Sequence, residues 1–452
     1  MDLGKDKIST LLKAFTIPCI ISMLVTSFYN IVDQVFIGWG IGYLGNGATS
    51  VVYPIVVIAS AICYMIADGA AAFLSLNLGE KDFKEAKKGV GATIYVLIVS
   101  SIILTIICSI FLPQLINLFG CTKNIYPYAM KYGRIIILGF PFLMTGAGLS
   151  SLIRADGNPR YSMMSNIIGA VTNIVLDALF IFVFKMGVTG AAIATVIAQI
   201  IAFLVCLKYI LNFKSFKIEL SDIKYDKSVL KVISYGISTC ITQLAIVIVM
   251  LVINNTLKKT GEQSIYGADI PLTAFGVVMK VNQIFNGIII GIAVGAQPII
   301  GFNYGAKRLD RVRETFITSI KICFVVGIAA TFVFQVFPEQ ITSLFGSESA
   351  LYNEFSVKCF RIYLLLAVCN TFQIACSIFF QSLGKTKKSI ICSLSRQILF
   401  LVPSILVLSK LFGIEGLLWA CPVADLLAFI VTGTLFIYEY KHLKEHRKGI
   451  NL

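Results

Sequence analysis

The sequence predicts an all-α polytopic membrane protein: twelve transmembrane helices in two six-helix lobes, related by a pseudo-two-fold axis along the membrane normal. Three observations carry this. The 452 residues are 57% hydrophobic and only 13% charged, about half the charged fraction of a soluble chain. Apolar runs of the roughly 20 residues needed to cross a bilayer recur along the whole length. The chain also matches itself at an offset near 226 residues.

Reading from the N-terminus, spans are expected at 13–38, 49–74, 90–113, 129–152, 162–184 and 187–210. Six more follow at 232–256, 271–297, 315–337, 355–381, 389–409 and 414–440. Each is assigned as helix because a spanning segment must satisfy its own backbone hydrogen bonds, and alternating strands do not fit these runs. The fifth and sixth are divided only by the turn Lys185 to Gly190, KMGVTG. The apolar run after Lys13 is too long for a cleavable leader and is followed by no small-residue cleavage site, so it is expected to remain as the first helix. Of the 38 Lys and Arg, 26 fall in the N-terminus, the even-numbered loops and the C-terminal tail, and five in the odd-numbered loops. That bias places both termini in the cytoplasm.

The internal match sets Leu76 to Lys81 (LNLGEK) against Phe302 to Lys307 (FNYGAK), Phe119-Gly120 against Phe345-Gly346, and Gly187 to Gly190 against Gly413 to Gly416. Arg134 falls opposite Arg361. Six helices per repeat leave both copies in the same orientation, the parallel arrangement that supports alternating access. The expected division is a first lobe at 1–210, a cytoplasmic linker at 211–231 and a second lobe at 232–452. The linker is lysine-rich and reads as a solvated hinge with room for a short surface helix.

Composition also excludes functions. The net charge of +15 belongs to loops between spans, so no nucleic-acid partner is expected. Twelve cysteines are scattered through apolar runs, and the two histidines, His442 and His446, lie in the tail, which argues against a zinc or iron–sulfur site. No phosphate-binding G-x-x-x-x-G-K-[ST] loop occurs, and no enzyme activity is expected.

The chemistry that remains is intramembrane. A charged group at that depth is costly unless hydrated, paired or bound to an ion. Asp33 lies in the first span, and Asn173 and Asp177 lie four apart on one face of the fifth. With a hydroxyl from Thr195 in the next span, they offer oxygen ligands for a hard cation, or carboxyls that carry a proton. Asp68, beside Gly69 in span two, either joins this cluster or marks a kink. Asp425, in span twelve, has Lys280, Arg361 and Arg396 as candidate basic partners within the spans of the second half. Pro18 interrupts the backbone ladder of the first span and could bend it in response to the charge on Asp33, or be a static kink. Tyr29, Tyr53, Tyr64, Met65, Met144, Met279, Lys280 and Arg361 are candidates for a substrate cavity; aromatic and thioether surfaces suit organic cations.

The opening FTIPCIISMLVTSFYNIVDQVFIG, the loop NLGEKDFKEAKKG and RADGNPRY at Arg154 to Tyr161 resemble those of the multidrug and toxic compound extrusion family. NIVLDALFIF, GVTGAAIAT and AVGAQPIIGFNYGAKRLDRVRE extend the likeness over nearly the whole chain. The resemblance implies a bacterial inner-membrane antiporter that expels organic cations, drugs or toxic compounds on proton or sodium entry. It maps the ion site onto Asp33, Asn173, Asp177 and Thr195 (with sodium, a metal site at Asp33, Asn173 and Asp177) and the bending proline onto Pro18. Members that couple through acids in spans seven and ten have no counterpart in this sequence. No cofactor beyond the coupling ion, a lipid bilayer around the protein, a small-molecule substrate and a monomer are expected. The alternative is a flippase for a lipid-linked precursor, or an exporter of one metabolite.

Overall fold

The computed structural model describes residues 2–119, 121–267, 269–343 and 350–450. The first half of the chain forms α1 (Ile8–Ile41), α2 (Tyr43–Glu80), α3 (Phe83–Leu118), α4 (Tyr126–Leu138), α5 (Phe140–Ala155), α6 (Pro159–Ala178) and α7 (Gly187–Ile210). The second forms α8 (Ser228–Glu262), α9 (Asp269–Gly305), α10 (Leu309–Val336), α11 (Pro338–Ser343), α12 (Ala350–Tyr363), α13 (Ala367–Ser382), α14 (Thr386–Leu394) and α15 (Val402–Ile450). Of the paired segments aligned in the repeat, Phe345-Gly346 and Gly120 lie outside the described residues.

Among the described residues, nine helical stretches are long and apolar enough to cross a membrane, and eleven when two bent pairs are each taken as one crossing. The bent pairs are α4–α5, broken by 47°, and α12–α13, broken by 50°. Gly139 and Pro141 mark the first break, where the proline withdraws a backbone donor. The stretch Thr386–Lys441 has 56 residues, about 84 Å of helix against a hydrocarbon core of about 30 Å. Gly413 divides it, with φ 61° and ψ −137°, a conformation that glycine adopts without a Cβ penalty. Among the described residues the count is therefore twelve.

The duplication is written into the backbone. Positive φ recurs in matched pairs: Lys81 (62°) with Lys307 (57°), Gly157 (89°) with Gly384 (70°), and Gly187 (61°) with Gly413 (61°). Side chains repeat as well. Asn77 Nδ2 donates to the Phe73 carbonyl and Asn303 Nδ2 to the Ile299 carbonyl, both at 2.8 Å. Each half has its own apolar core, the first around Ile55, Ile116, Ile137 and Phe140, the second around Phe275, Phe285, Phe355 and Phe360.

The lobes meet through glycines. A Cβ on Gly69 (α2) would lie 2.0 Å from the Val232 carbonyl of α8, and one on Gly236 (α8) 1.7 Å from the Met65 carbonyl. On the other side of the axis, Gly291 and Gly295 of α9 lie backbone-to-backbone against Ile20 and Thr16 of α1. Gly79 and Gly305 seal α2 against α9. All these approaches lie in the half of the bundle that holds the start of α1, here called the base. The N-terminal segment caps the base: Asn303 Nδ2 and Arg311 Nη2 donate to the Leu3 carbonyl at 3.0 and 3.1 Å. The approach of α9 loosens toward the mouth: a Cβ on Gly287 would lie 3.6 Å from Met23 of α1, and one on Gly276, further out, would meet nothing within 4 Å. The cleft between the lobes is closed at the base and open toward the other end, the mouth.

The linker is less of a hinge than its composition suggests. Buried Asp156, after α5, accepts from Tyr209 Oη (2.9 Å), from the Lys214 amide (2.8 Å), and from the amide and hydroxyl of Ser215. Burial pushes its carboxyl up while these donors pull it back. The short 3₁₀ turn Leu220–Asp222 is pinned to α3 through Lys87 Nζ–Asp222 at 3.0 Å. Asp156→Ala is expected to cost about 3 kcal/mol, because charge-assisted hydrogen bonds are lost and donors orphaned. Limited proteolysis should then cut within 211–227 at least tenfold faster than in the wild type.

Candidate ion site in the first lobe

Three first-lobe helices, α1, α6 and α7, converge in the mouth-side half of the lobe. The i, i+4 spacing places Asn173 and Asp177 on one face of α6, where both are buried, at 2% and 0% exposure. Asn173 Nδ2 donates to Thr195 Oγ1 of α7 at 3.3 Å, and Thr195 donates to its own Ala191 carbonyl at 3.0 Å. That orients the amide so that Asn173 Oδ1 stays unpartnered. From α1, the Asp33 carboxyl comes within hydrogen-bonding reach of Asp177. Asp33 Oδ1, Asn173 Oδ1 and both oxygens of Asp177 are buried acceptors with no donor. Buried acceptors of this kind are expensive, and two adjoining carboxylates repel strongly at low dielectric. A proton shared by the acids or a sodium ion among these oxygens would relieve both costs, and the chemistry of this all-oxygen set suits either.

The phenols of Tyr29 and Tyr132 are within electrostatic reach of both acids. Tyr29 thus lies beside the two acids of the candidate ion site. Tyr132, from α4, was not anticipated: nothing in sequence marks it among 18 tyrosines, and only the packing of α4 brings it in. Among the described residues, no three His, Cys, Asp or Glu side chains converge as a metal site; the first-lobe group draws two of its members from Asn and Thr.

The remaining candidates scatter. Asp68 does not join the acids. It lies at the floor of the cleft, where Thr239 of α8 donates to its Oδ2 at 3.3 Å, and Gln381 in turn donates to Thr239 at 3.1 Å. The helix pitch places Tyr53, Tyr64 and Asp68 along one face of α2, the first two exposed, so this face lines the cleft down to its floor. Met65 lies in the seam, its carbonyl against Gly236. Lys280 is exposed on the α9 stripe that includes Gly276 and Gly287, and so faces the cleft near the mouth. Two expectations fail. Met144 is fully buried in the first-lobe core, because the α4–α5 break turns it inward. Arg361 lines a pocket of about 560 Å³ whose described lining comes from α11 and α12, with Glu339 and Asn353, away from the opposite lobe. Met279 is half-buried against the second-lobe core. Pro18 is buried within an unbroken α1, between the two residues that α9 glycines touch, about 22 Å along the helix from Asp33.

Two six-helix lobes closing on a membrane-depth cleft, with paired acids inside one lobe, define a secondary transporter rather than an enzyme. A profile of the MatE family matches residues 18–179 and 264–406, well over half of the chain, which therefore belongs to that family. The multidrug export protein MepA of Staphylococcus aureus is 24% identical over 428 residues, covering 94% of this chain and 92% of the relative. Its Staphylococcus saprophyticus counterpart is 25% identical over 421 residues, covering 91% and 89%. Among solved structures, an outward-facing multidrug resistance MATE family transporter of the MOP superfamily shares the fold, with TM-score 0.90, 22% identity and 98% of each chain covered. A MOP superfamily transporter from Pyrococcus furiosus, described as having reverse polarity of its binding pocket, also scores 0.90, at 21% identity with 98% of each chain covered.

Thr195→Val removes the hydroxyl that orients Asn173. A single neutral hydrogen bond of this kind contributes about 1 kcal/mol. The half-saturating concentration of the coupling ion is expected to rise roughly five- to tenfold, with maximal flux little changed, as measured in proteoliposomes.

Proposed function

We propose that this chain is a secondary active exporter of organic cations, drugs or toxic compounds, driven by entry of protons or sodium through a site formed by Asp33, Asn173, Asp177 and Thr195. The observation that carries this reading is the group of buried, donor-less oxygens on α1 and α6. A mobile cation supplies what the protein does not, and its arrival and departure change the balance between α1 and α6 that shapes the cleft. The MepA relatives, which carry the name multidrug export protein, support the same direction and substrate class. In this reading the protein works as a monomer in a bacterial inner membrane, with both termini cytoplasmic as the loop charges require and no nucleic-acid partner. The base then faces the cytoplasm and the cleft opens outward. Residues 1–210 and 232–452 act as the moving lobes, with 211–231 as the tie between them; Pro18, in the seam, is where α1 can bend. Tyr53 and Tyr64 present aromatic surface to a cation.

The test is efflux of a cationic dye from proteoliposomes under sodium and proton gradients imposed separately. Dependence on one ion names the coupling ion. Well-folded protein that moves no dye under either gradient overturns the reading. Lys280, exposed on the cleft face of α9, supports a second reading, in which an anionic metabolite or a lipid-linked precursor is carried. Inhibition of dye efflux by such anions, lost in Lys280→Gln, would favour it.

A further inference from the structure

The two lobes differ in what occupies corresponding positions. At the offset of 226, Cys421 on α15 corresponds to Thr195 on α7, and Asp425, one helical turn further, corresponds to Gln199. Arg396, in the π-helical turn Ser395–Leu401 that follows α14, falls against Gly169 at the offset of 227 set by Gly157 and Gly384. Gly169 is one turn before Asn173 on α6. The second lobe therefore holds a polar group one turn toward the base from the image of the first-lobe ion site, on the matching pair of helices.

Its chemistry is the complement of the first. Arg396 Nε donates to Asp425 Oδ1 at 2.6 Å, and Arg396 Nη2 approaches Cys421 Sγ at 3.6 Å. Cys421 Sγ in turn donates to Asp425 Oδ2 at 3.7 Å. The two charged side chains are 11% and 3% exposed. Among the described residues, the first-lobe acids leave oxygens without donors, whereas neither Asp425 nor Arg396 leaves any buried atom unpaired. Tyr363 and Cys369 are the other titratable groups within electrostatic reach.

We infer that Arg396 and Asp425 form a second cation site that the chain occupies itself, the guanidinium taking, one turn nearer the base, the part that a mobile ion takes in the other lobe. The inference deepens the proposed ion coupling: it confines the exchangeable cation to the first lobe and makes the second lobe's charge permanent. A buried acid that loses its only cation must recruit another or become neutral, so removing Arg396 exposes a latent site for a proton or sodium.

The experiment compares the wild type, Arg396→Met and the double variant Arg396→Met/Asp425→Asn, each as full-length protein in detergent. The melting temperature is followed while sodium chloride replaces choline chloride, and as pH falls from 8 to 5. Arg396→Met is expected to gain a cation- or acid-dependent rise of about 2 °C or more over the wild-type response, and the double variant to lack it. The first-lobe site is common to both variants, so a failure of that site to bind any ion cancels in the comparison and is visible separately in the wild type. A folded Arg396→Met with no added response overturns the inference. So does an Arg396→Met that cannot be recovered at any sodium concentration or pH while the double variant folds, because an acid that neither cation satisfies is not a cation site.

Discussion

Replacing Asp33 or Asp177 by asparagine is expected to abolish ion-driven efflux, with the gradient-dependent rate falling about a hundredfold or more. The amide keeps the size of the carboxyl and removes the charge. Without that charge a proton loses one of the two carboxyls that hold it, and sodium loses one of its two anionic ligands in a place shielded from water. A buried charge interaction broken on one side costs about 3–5 kcal/mol, and 3 kcal/mol already exceeds a hundredfold in affinity. The two variants are not interchangeable. Asp177 is fully enclosed in the first lobe, whereas Asp33 is only partly buried on α1, so Asp177→Asn is expected to have the larger effect. Folding is expected to survive in both, because each substitution relieves the repulsion between adjoining acids and leaves neither an unpaired charge. Dye efflux in proteoliposomes checks this, with substrate binding measured in parallel. Retained coupling in Asp33→Asn would make that residue structural and leave the site to Asp177.

Gly236→Ala is expected to have a comparable effect through geometry alone. A Cβ at this position would lie 1.7 Å from the Met65 carbonyl and 3.0 Å from the Gly69 amide, and neither neighbour is a flexible side chain that can swing away. The helices α2 and α8 would have to separate at the base, where closure of the cleft depends on their contact. Overpacking against backbone costs about 3 kcal/mol, enough to shift a two-state balance more than a hundredfold. Hydrogen exchange in Met65–Gly69 and Val232–Gly236 should rise, and efflux should fall with it. Wild-type protection together with wild-type efflux would mean that the crossing tolerates a methyl group and does not set the conformation.

Legibility differed by the kind of interaction. The class of fold was readable because a bilayer imposes a one-dimensional rule: roughly 20 apolar residues, then a turn, with basic residues biased to one side. Asp33, Asn173 and Asp177 were readable for a related reason, since acids and amides are conspicuous in apolar spans and an i, i+4 pair fixes a shared face without tertiary information. Tyr132 and Met144 were not readable. Each depends on how the broken α4–α5 crossing is rotated against its neighbours, and that rotation follows from the packing of Gly139 and Pro141 rather than from hydropathy.

The sequence by itself determined the membrane class, the twelve crossings, the internal repeat and the acids of the first lobe. Each of these is a property of composition or spacing along one helix. The tertiary structure alone decided that Asp68 belongs to the floor of the cleft, that Asp425 is held by Arg396 and not by Lys280 or Arg361, and that the lobes close at the base. These depend on which helices approach within a side chain's reach. In a chain where most helices are apolar all round, hydropathy gives no preferred partner. Glycine-to-carbonyl contacts and a few buried polar pairs make that choice.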